Sequence, residues 1–276
     1  MTDAIRIDVD PGKLFERAFT ELEQSQLPYA AMKAANGAAS EIAFQWERLL
    51  GKRLDRPTPF TQRSVNVRKA RYTRNSDGTR EMDAAVVFIR DFAGKGTAPA
   101  QYLLPQVYGG AGHDRGIDKG LQRAGILRMG ERAVTPFDGA MLDAYGNIPG
   151  GVVNQILSQL QGRFDPNQNE TEASRKRNNK RGARAKKLTR LNRRYFAVMR
   201  MGENSNALAR TRHLSPGIYM RDGKFDLTKV YNFVGKVHYS ERLDLFGAAK
   251  KAWEEAFPFY FTRELATAVA QAGTRA

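Results

Sequence analysis

Apolar residues in the last third of the chain keep a helical step. Leu245, Phe246, Ala249, Trp253, Ala256, Phe257, Tyr260, Phe261, Leu265, Ala268 and Val269 recur every three or four residues, the period of one helix face. Pro258 lies inside the pattern without shifting its phase, which predicts a kink or a restarted helix. Upstream the period changes to two. Gly217–Met220 and Val230–Val234 are short β-prone runs, and Asp222-Gly223 between them is a turn dipeptide, so a hairpin is expected. Near the other end, Asp10 and Pro11 can open a helix through Leu14, Phe15, Ala18, Phe19 and Leu22. A second helix is predicted from Pro28 to about Leu50. Its Ala30, Ala31, Ala34, Ala35, Ala38, Ala39, Ile42, Trp46 and Leu49 form a small-residue face. Core packing is the simpler use of such a face, and a subunit interface is the rival.

Arg56-Pro57-Thr58-Pro59 is a rigid turn, and two strands follow. Ser64–Thr73 alternates, Met82–Phe92 carries the continuous run Ala84–Ile89, and Ser76-Asp77-Gly78 turns between them. The middle of the chain lacks a long strand pattern. Helices are expected at Thr97–Tyr108, Ile117–Leu127 and Val152–Leu160, with a loop at Gly146–Gly151. The elements add up to an α+β fold. One antiparallel sheet would be packed by long N-terminal and C-terminal helices, with a helical and loop insertion at its rim. The expected divisions are 1–96 and 195–276 as the core, 97–173 as the insertion, and 174–194 as a linker. The seam Phe246, Trp253, Phe257, Phe261 would lie against the sheet.

Composition narrows the class. The chain has 276 residues, 41% hydrophobic and 10% aromatic, enough for one large domain or two small ones. It has no cysteine, so disulfides and cysteine-bound metals are excluded. No apolar run approaches the ~20 residues of a bilayer span. The first residues lack the pattern of a signal peptide, and a soluble chain without membrane contact is expected.

Charge adds a candidate interface. The net charge is +16. Between Ser174 and Arg194 stand Arg175, Lys176, Arg177, Lys180, Arg181, Arg184, Lys186, Lys187, Arg190, Arg193 and Arg194, with no Asp or Glu. Such a block repels itself and should be mobile or extended unless an anion orders it. It is the predicted contact for a polyanion or an acidic partner, against a solvated linker or a helix with a basic face. No aromatic residue interrupts it before Tyr195, which argues against a stacking platform within the run.

Catalytic chemistry is hard to find. His113, His213 and His238 are isolated in sequence, and no Asp/Glu cluster has metal-ligand spacing. Glu81 and Asp83 make one pair at most. Gly94-Lys95-Gly96-Thr97 lacks the full phosphate-loop pattern and is a turn. The expectation is a protein without catalytic residues, cofactor or metal.

Two segments carry a resemblance. Leu27–Ala39, an Ala-rich helix around Asn36, and Pro216–Ala272, a strand-turn-strand followed by the closing helix, resemble the minor tail protein Z (tail-completion) family of tailed phages. The stretch from about Thr97 to Arg194 is longer than that family's middle region. The resemblance implies a structural, non-enzymatic virion component at the tail or head–tail junction, made in the host cytoplasm. It implies binding to other tail or neck proteins, a six-fold ring of copies, and transient contact with DNA. The alternative from the residues alone is a nucleic-acid-binding protein that uses segment 174–194.

Overall fold

A computed structural model describes residues 6–9, 21–74, 80–94, 96–136, 141–184, 193–199, 213–222, 226–235 and 237–273. The architecture is α+β, with antiparallel sheets packed by the N- and C-terminal helices. The chain divides into two compact units. Unit 1 combines residues 1–110 with 239–276, and unit 2 is residues 111–238.

Unit 1 is built on two long helices, α1 (Glu21–Arg53) and α7 (Leu245–Gly273). The helix predicted at Asp10–Leu22 falls mainly outside the described residues. Ala30, Ala31, Ala34, Ala35, Ala38 and Ala39 are all buried, as are Ala249, Ala252 and Ala256 of α7. Small residues on both helices let the backbones approach closely. The approach is tightest at Gly37, where an added Cβ would stand 2.7 Å from the Tyr260 ring. Trp46 is fully buried, and its indole N–H donates to the Leu245 carbonyl at 2.8 Å, so the ring's polar atom is satisfied in the core. This covers the Ala stripe within the chain's own core. The predicted aromatic seam is displaced. Trp253 and Phe257 are only partly buried against the core, and Phe246 is exposed. Ala249, Ala252 and Ala256 take the inward position of α7, and the ring that α1 accepts is that of Tyr260, over Gly37. One unbroken helix carries Pro258, so there is no restart.

The sheet of unit 1 has the order β1-β5-β2, all antiparallel, with β1 (Arg6–Val9), β2 (Val65–Arg68) and β5 (Ala85–Ile89). The apolar run of β5 takes the central position, as a strand covered on both faces requires. The hairpin is as expected but interrupted. Its outer part is β3 (Tyr72–Arg74) and β4 (Arg80–Met82). Val65 faces Ile89, Tyr72 faces Met82 and Arg74 faces Arg80, so both ladders keep one register centred on Asp77. The turn Ser76-Asp77-Gly78 itself lies outside the described residues. At the interruption, Asn36 of α1 replaces the missing ladder. Its Nδ2 donates to the Ala70 carbonyl (3.1 Å) and its Oδ1 accepts from the Ala70 N–H (2.7 Å). The short helix α2 (Pro59–Gln62) precedes β2, and helix α3 (Pro99–Tyr108), followed by the two-residue strand β6 (Gly110–Ala111), completes this core through Ala100, Leu103 and Val107.

Unit 2 holds a second sheet, in the order β7-β10-β9-β8. Its strands are β7 (Arg132–Val134), β8 (Arg194–Val198), β9 (Gly217–Asp222) and β10 (Asp226–Val234). The predicted hairpin is β9–β10, with a register shift between Lys229 and Tyr231. The strands after residue 194 therefore do not join β5 in one sheet, as the sequence pattern had implied. Two sheets form because α4 (Gly116–Arg123) and α5 (Gly150–Gln159) cover the second one. Ile117, Leu121, Ile156 and Leu157 share a core with Ile218, Met220, Tyr231 and Phe233. The middle segment is thus core rather than a lobe at the rim.

Candidate polyanion interface

The basic run is helical where it is described. Helix α6 spans Glu172–Arg184, against the expected mobile or extended segment. Local contacts offset the like-charge repulsion at its start. Thr171 Oγ1 accepts from the Ser174 N–H at 3.2 Å, and Glu172 stands in the first turn, where the helix dipole favours an anion. Glu172 also pairs with Lys176 across one turn (3.5 Å).

The eleven cations divide into groups. Arg175, Lys176, Arg177 and Lys180 are exposed on α6. Arg181 and Arg184 belong to the helix backbone, but their side chains lie outside the described set, as do Lys186, Lys187 and Arg190 altogether. Arg193 is half-buried. Arg194 is already paired: its guanidinium reaches both Glu170 oxygens at 2.7 Å, Asn179 Oδ1 at 2.9 Å and the Arg175 carbonyl at 3.1 Å. It pins α6 to the start of β8, a bond the sequence did not reveal because Glu170 precedes the run.

A second cationic surface went unread in the sequence. Arg115, Lys119 and Arg123 recur every four residues, so they share one face of α4. That face and the loop after α5 enclose a cleft of about 680 Å³. Arg163 enters it from the loop. Its guanidinium donates to Asn154 Oδ1 (2.6 Å) and to Gln168 Oε1, two neutral acceptors that fix the charge without cancelling it. Phe164, next in sequence, is 86% exposed, and the Arg123 guanidinium lies 4.8 Å from its ring centre. The sequence signal was the four-residue repeat of cations, masked by the denser run downstream.

Backbone geometry sets this loop. Helix α5 ends in a paired turn, with the Gly162 N–H donating to the Leu157 carbonyl and the Gln161 N–H to the Ser158 carbonyl. Gln161 takes the left-handed position (φ 59°) that usually falls to glycine. Gly162 then packs on Gly120 of α4. A Cβ on Gly162 would stand 2.8 Å from the Gly120 carbonyl oxygen. Only two glycines allow the approach that brings Phe164 to Arg123.

Asp118 anchors the other wall. It is fully buried and accepts from the Arg115 and Ala133 backbone N–H groups and from the Arg115 side chain. Burial pushes the Tyr231 hydroxyl at the cleft's base up to about 12, with Arg115 opposing and Asp118 adding to the shift. Burial also holds His113 below its ordinary range; Lys119 adds to this, Asp114 opposes it, and Arg132 adds a further lowering. Among the described residues no group of three or more His, Cys, Asp or Glu is placed to hold a metal ion. No helix among them is long and apolar enough to cross a membrane.

Comparison of the chain with protein-family models, with curated proteins and with solved structures finds no match.

Proposed function

We propose that the chain is a structural subunit of a tailed-phage particle, located at the tail or head–tail junction and acting by binding its neighbours rather than by catalysis. One observation supports this reading above the others. The Ala-rich segment Leu27–Ala39 and the closing helix from Leu245, which carry most of the resemblance, pack on each other as a single core. The strand-turn-strand part of the second segment belongs to unit 2, so the two segments share a core only through the closing helix. The Ala stripe is used up in that core. A ring contact would therefore use the outer surfaces of α1 and α7, where Phe44 is 51% and Phe259 62% exposed. A six-copy ring presents two different surfaces per subunit, because its contact is heterologous. Electron microscopy of purified particles, with the chain located and its copies counted, tests the reading. A particle that lacks the chain, or holds it as one copy or an isologous dimer, overturns it.

The second reading is nucleic-acid binding through segment 174–194. Arg175, Arg177 and Lys180 favour it, since their side chains form no ion pair among the described residues. Changing Arg181, Arg184, Lys186 and Lys187 to Glu separates the two. Loss of particle completion with unchanged DNA affinity supports the structural role, and the reverse supports the second reading.

A further inference from the structure

Unit 2 combines three things in one cleft: positioned cations, an exposed ring, and a continuous track toward the basic helix. Lys119, Arg123 and Arg163 line it, and none of the three forms an ion pair among the described residues. The carboxylate in its lining, Asp165, is engaged at the cap of the short 3-10 turn Pro166–Gln168, accepting from the Asn167 N–H at 3.0 Å. The cleft therefore sets three cations without an ion-pair partner against one carboxylate and keeps a net positive charge, in a space of a size that suits small organic groups. Phe164 stands on it with 86% of its surface open. The backbone that carries this ring is set by the Gly120–Gly162 contact and the turn that ends α5, and the ring itself meets Arg123. With Arg123 at the ring, a planar partner on its free surface would complete a cation–ring–base stack.

The cleft also continues. A neighbouring groove shares Asn154, Arg163 and Gln168 with it and leads to Ser174 and Asn178 on α6. The carboxylate there, Glu170, is neutralised by Arg194. A chain of phosphates entering at Lys119 would thus meet mainly cations and neutral amides, with Asp165 the carboxylate on the way, as far as the exposed Arg175, Arg177 and Lys180.

We propose that this cleft binds single-stranded nucleic acid, with a base stacked on Phe164 and phosphates on Lys119, Arg123 and Arg163. The ring selects the class of ligand. An acidic protein segment needs the cations but not a bare ring among them, and a duplex keeps its base faces stacked and out of reach of Phe164. This site is independent of the particle reading, since it depends only on unit 2.

Fluorescence anisotropy of the full chain with a labelled oligo-dT of about twelve nucleotides is the test. Three engaged cations give a slope of log affinity against log salt of about −2, at roughly −0.7 each for a single strand. Phe164→Ala should weaken binding roughly tenfold and leave that slope unchanged, since it removes stacking and no charge. Arg123→Gln should weaken binding and flatten the slope. Both side chains are exposed enough that an unchanged melting curve confirms the fold. Equal binding by Phe164→Ala and the parent overturns the proposal. So does a duplex of equal length that competes as well as the strand, or ATP that competes as well as oligo-dT. Binding that survives Phe164→Ala and Arg123→Gln but is lost in Arg175→Glu/Lys180→Glu would place the contact on α6 and likewise overturn it.

Discussion

Unit 1 and unit 2 spend their polar groups differently. In unit 1 the core is a ridge of small side chains closed by Trp46, and its described ion pairs lie at the surface except that Glu264 is largely covered. Lys33 and Glu264 meet at 3.9 Å with the lysine half exposed, and Lys250–Glu254 is an exposed pair across one helical turn. Pairs of that kind contribute about 0–1 kcal/mol. In unit 2 the charges reach inward. Asp118 is fully buried, Glu170 is nearly so, and Arg132 is buried with its guanidinium on the Gly112 carbonyl and on Asp114 at 3.2 Å. The apolar seam of unit 1 supplies strength without direction. The buried pairs of unit 2 fix particular loops at particular places, which a cleft needs and a helix pair does not.

The largest expected effect lies in unit 1. Trp46→Ala should cost about 3–5 kcal/mol in urea unfolding, since it opens a cavity and leaves the Leu245 carbonyl without its donor. Trp253→Ala, half-buried at the edge of the same core, should cost clearly less, about 1–2 kcal/mol. Equal losses would mean the aromatic edge, not the Ala ridge, holds the helix pair.

Next comes the buried carboxylate. Asp118→Ala should destabilise by about 2–4 kcal/mol, because two backbone N–H groups lose their acceptor while the half-exposed Arg115 can rehydrate. Both tryptophans belong to unit 1, so the two units can be followed apart. Hydrogen exchange should lose protection in α4 and β7 while the tryptophan unfolding curve stays where it was. A tryptophan curve that shifts by the full amount would show that the two cores unfold as one, and the comparison would dissolve.

Glycine substitutions sharpen the contrast within α1. Gly37→Ala should cost about 1–3 kcal/mol, since its Cβ meets the Tyr260 ring. Gly51→Ala, with nothing within 4 Å, should stabilise by about 0.5–1 kcal/mol through helix propensity. Thermal melts of the pair check the claim, and a destabilised Gly51→Ala would contradict it.

The smallest effect is pH dependence at His113. Its folded pKa lies below the unfolded value of 6.5, so the unfolded chain binds the proton more readily. Its contribution is fully present above pH 6.5 and is lost as pH falls through the folded value. Against His113→Gln, the parent should lose relative stability below pH 6.5 and match it above. An identical pH profile for the two proteins would show that His113 is solvated.

Local periodicity determined much of this protein. The helical step of Ala30–Leu50 and of Leu245–Val269, the existence of both hairpins and the α+β class follow from interactions within a few residues, which the sequence states directly, although Asp222, expected in the second turn, pairs with Asp226 in the ladder. So does the presence of a basic segment. Which apolar face meets which was decided in three dimensions. An alternating strand carries no mark of its sheet, so β8–β10 could be joined to β5 on paper, while the covering helices α4 and α5 assign them elsewhere. The four residues of β1 and the three of β7 are too short to show a period at all. Ala ridges and aromatic seams have the same helical step, and only the fit of α1 against α7 chose between them. The pairing of Arg194 with Glu170, and of Arg123 with Phe164, depends on chain reversals that bring distant residues within 5 Å. Short-range sterics and hydrophobic period are written residue by residue; the partners of a charge or a ring are set by packing that the whole chain completes.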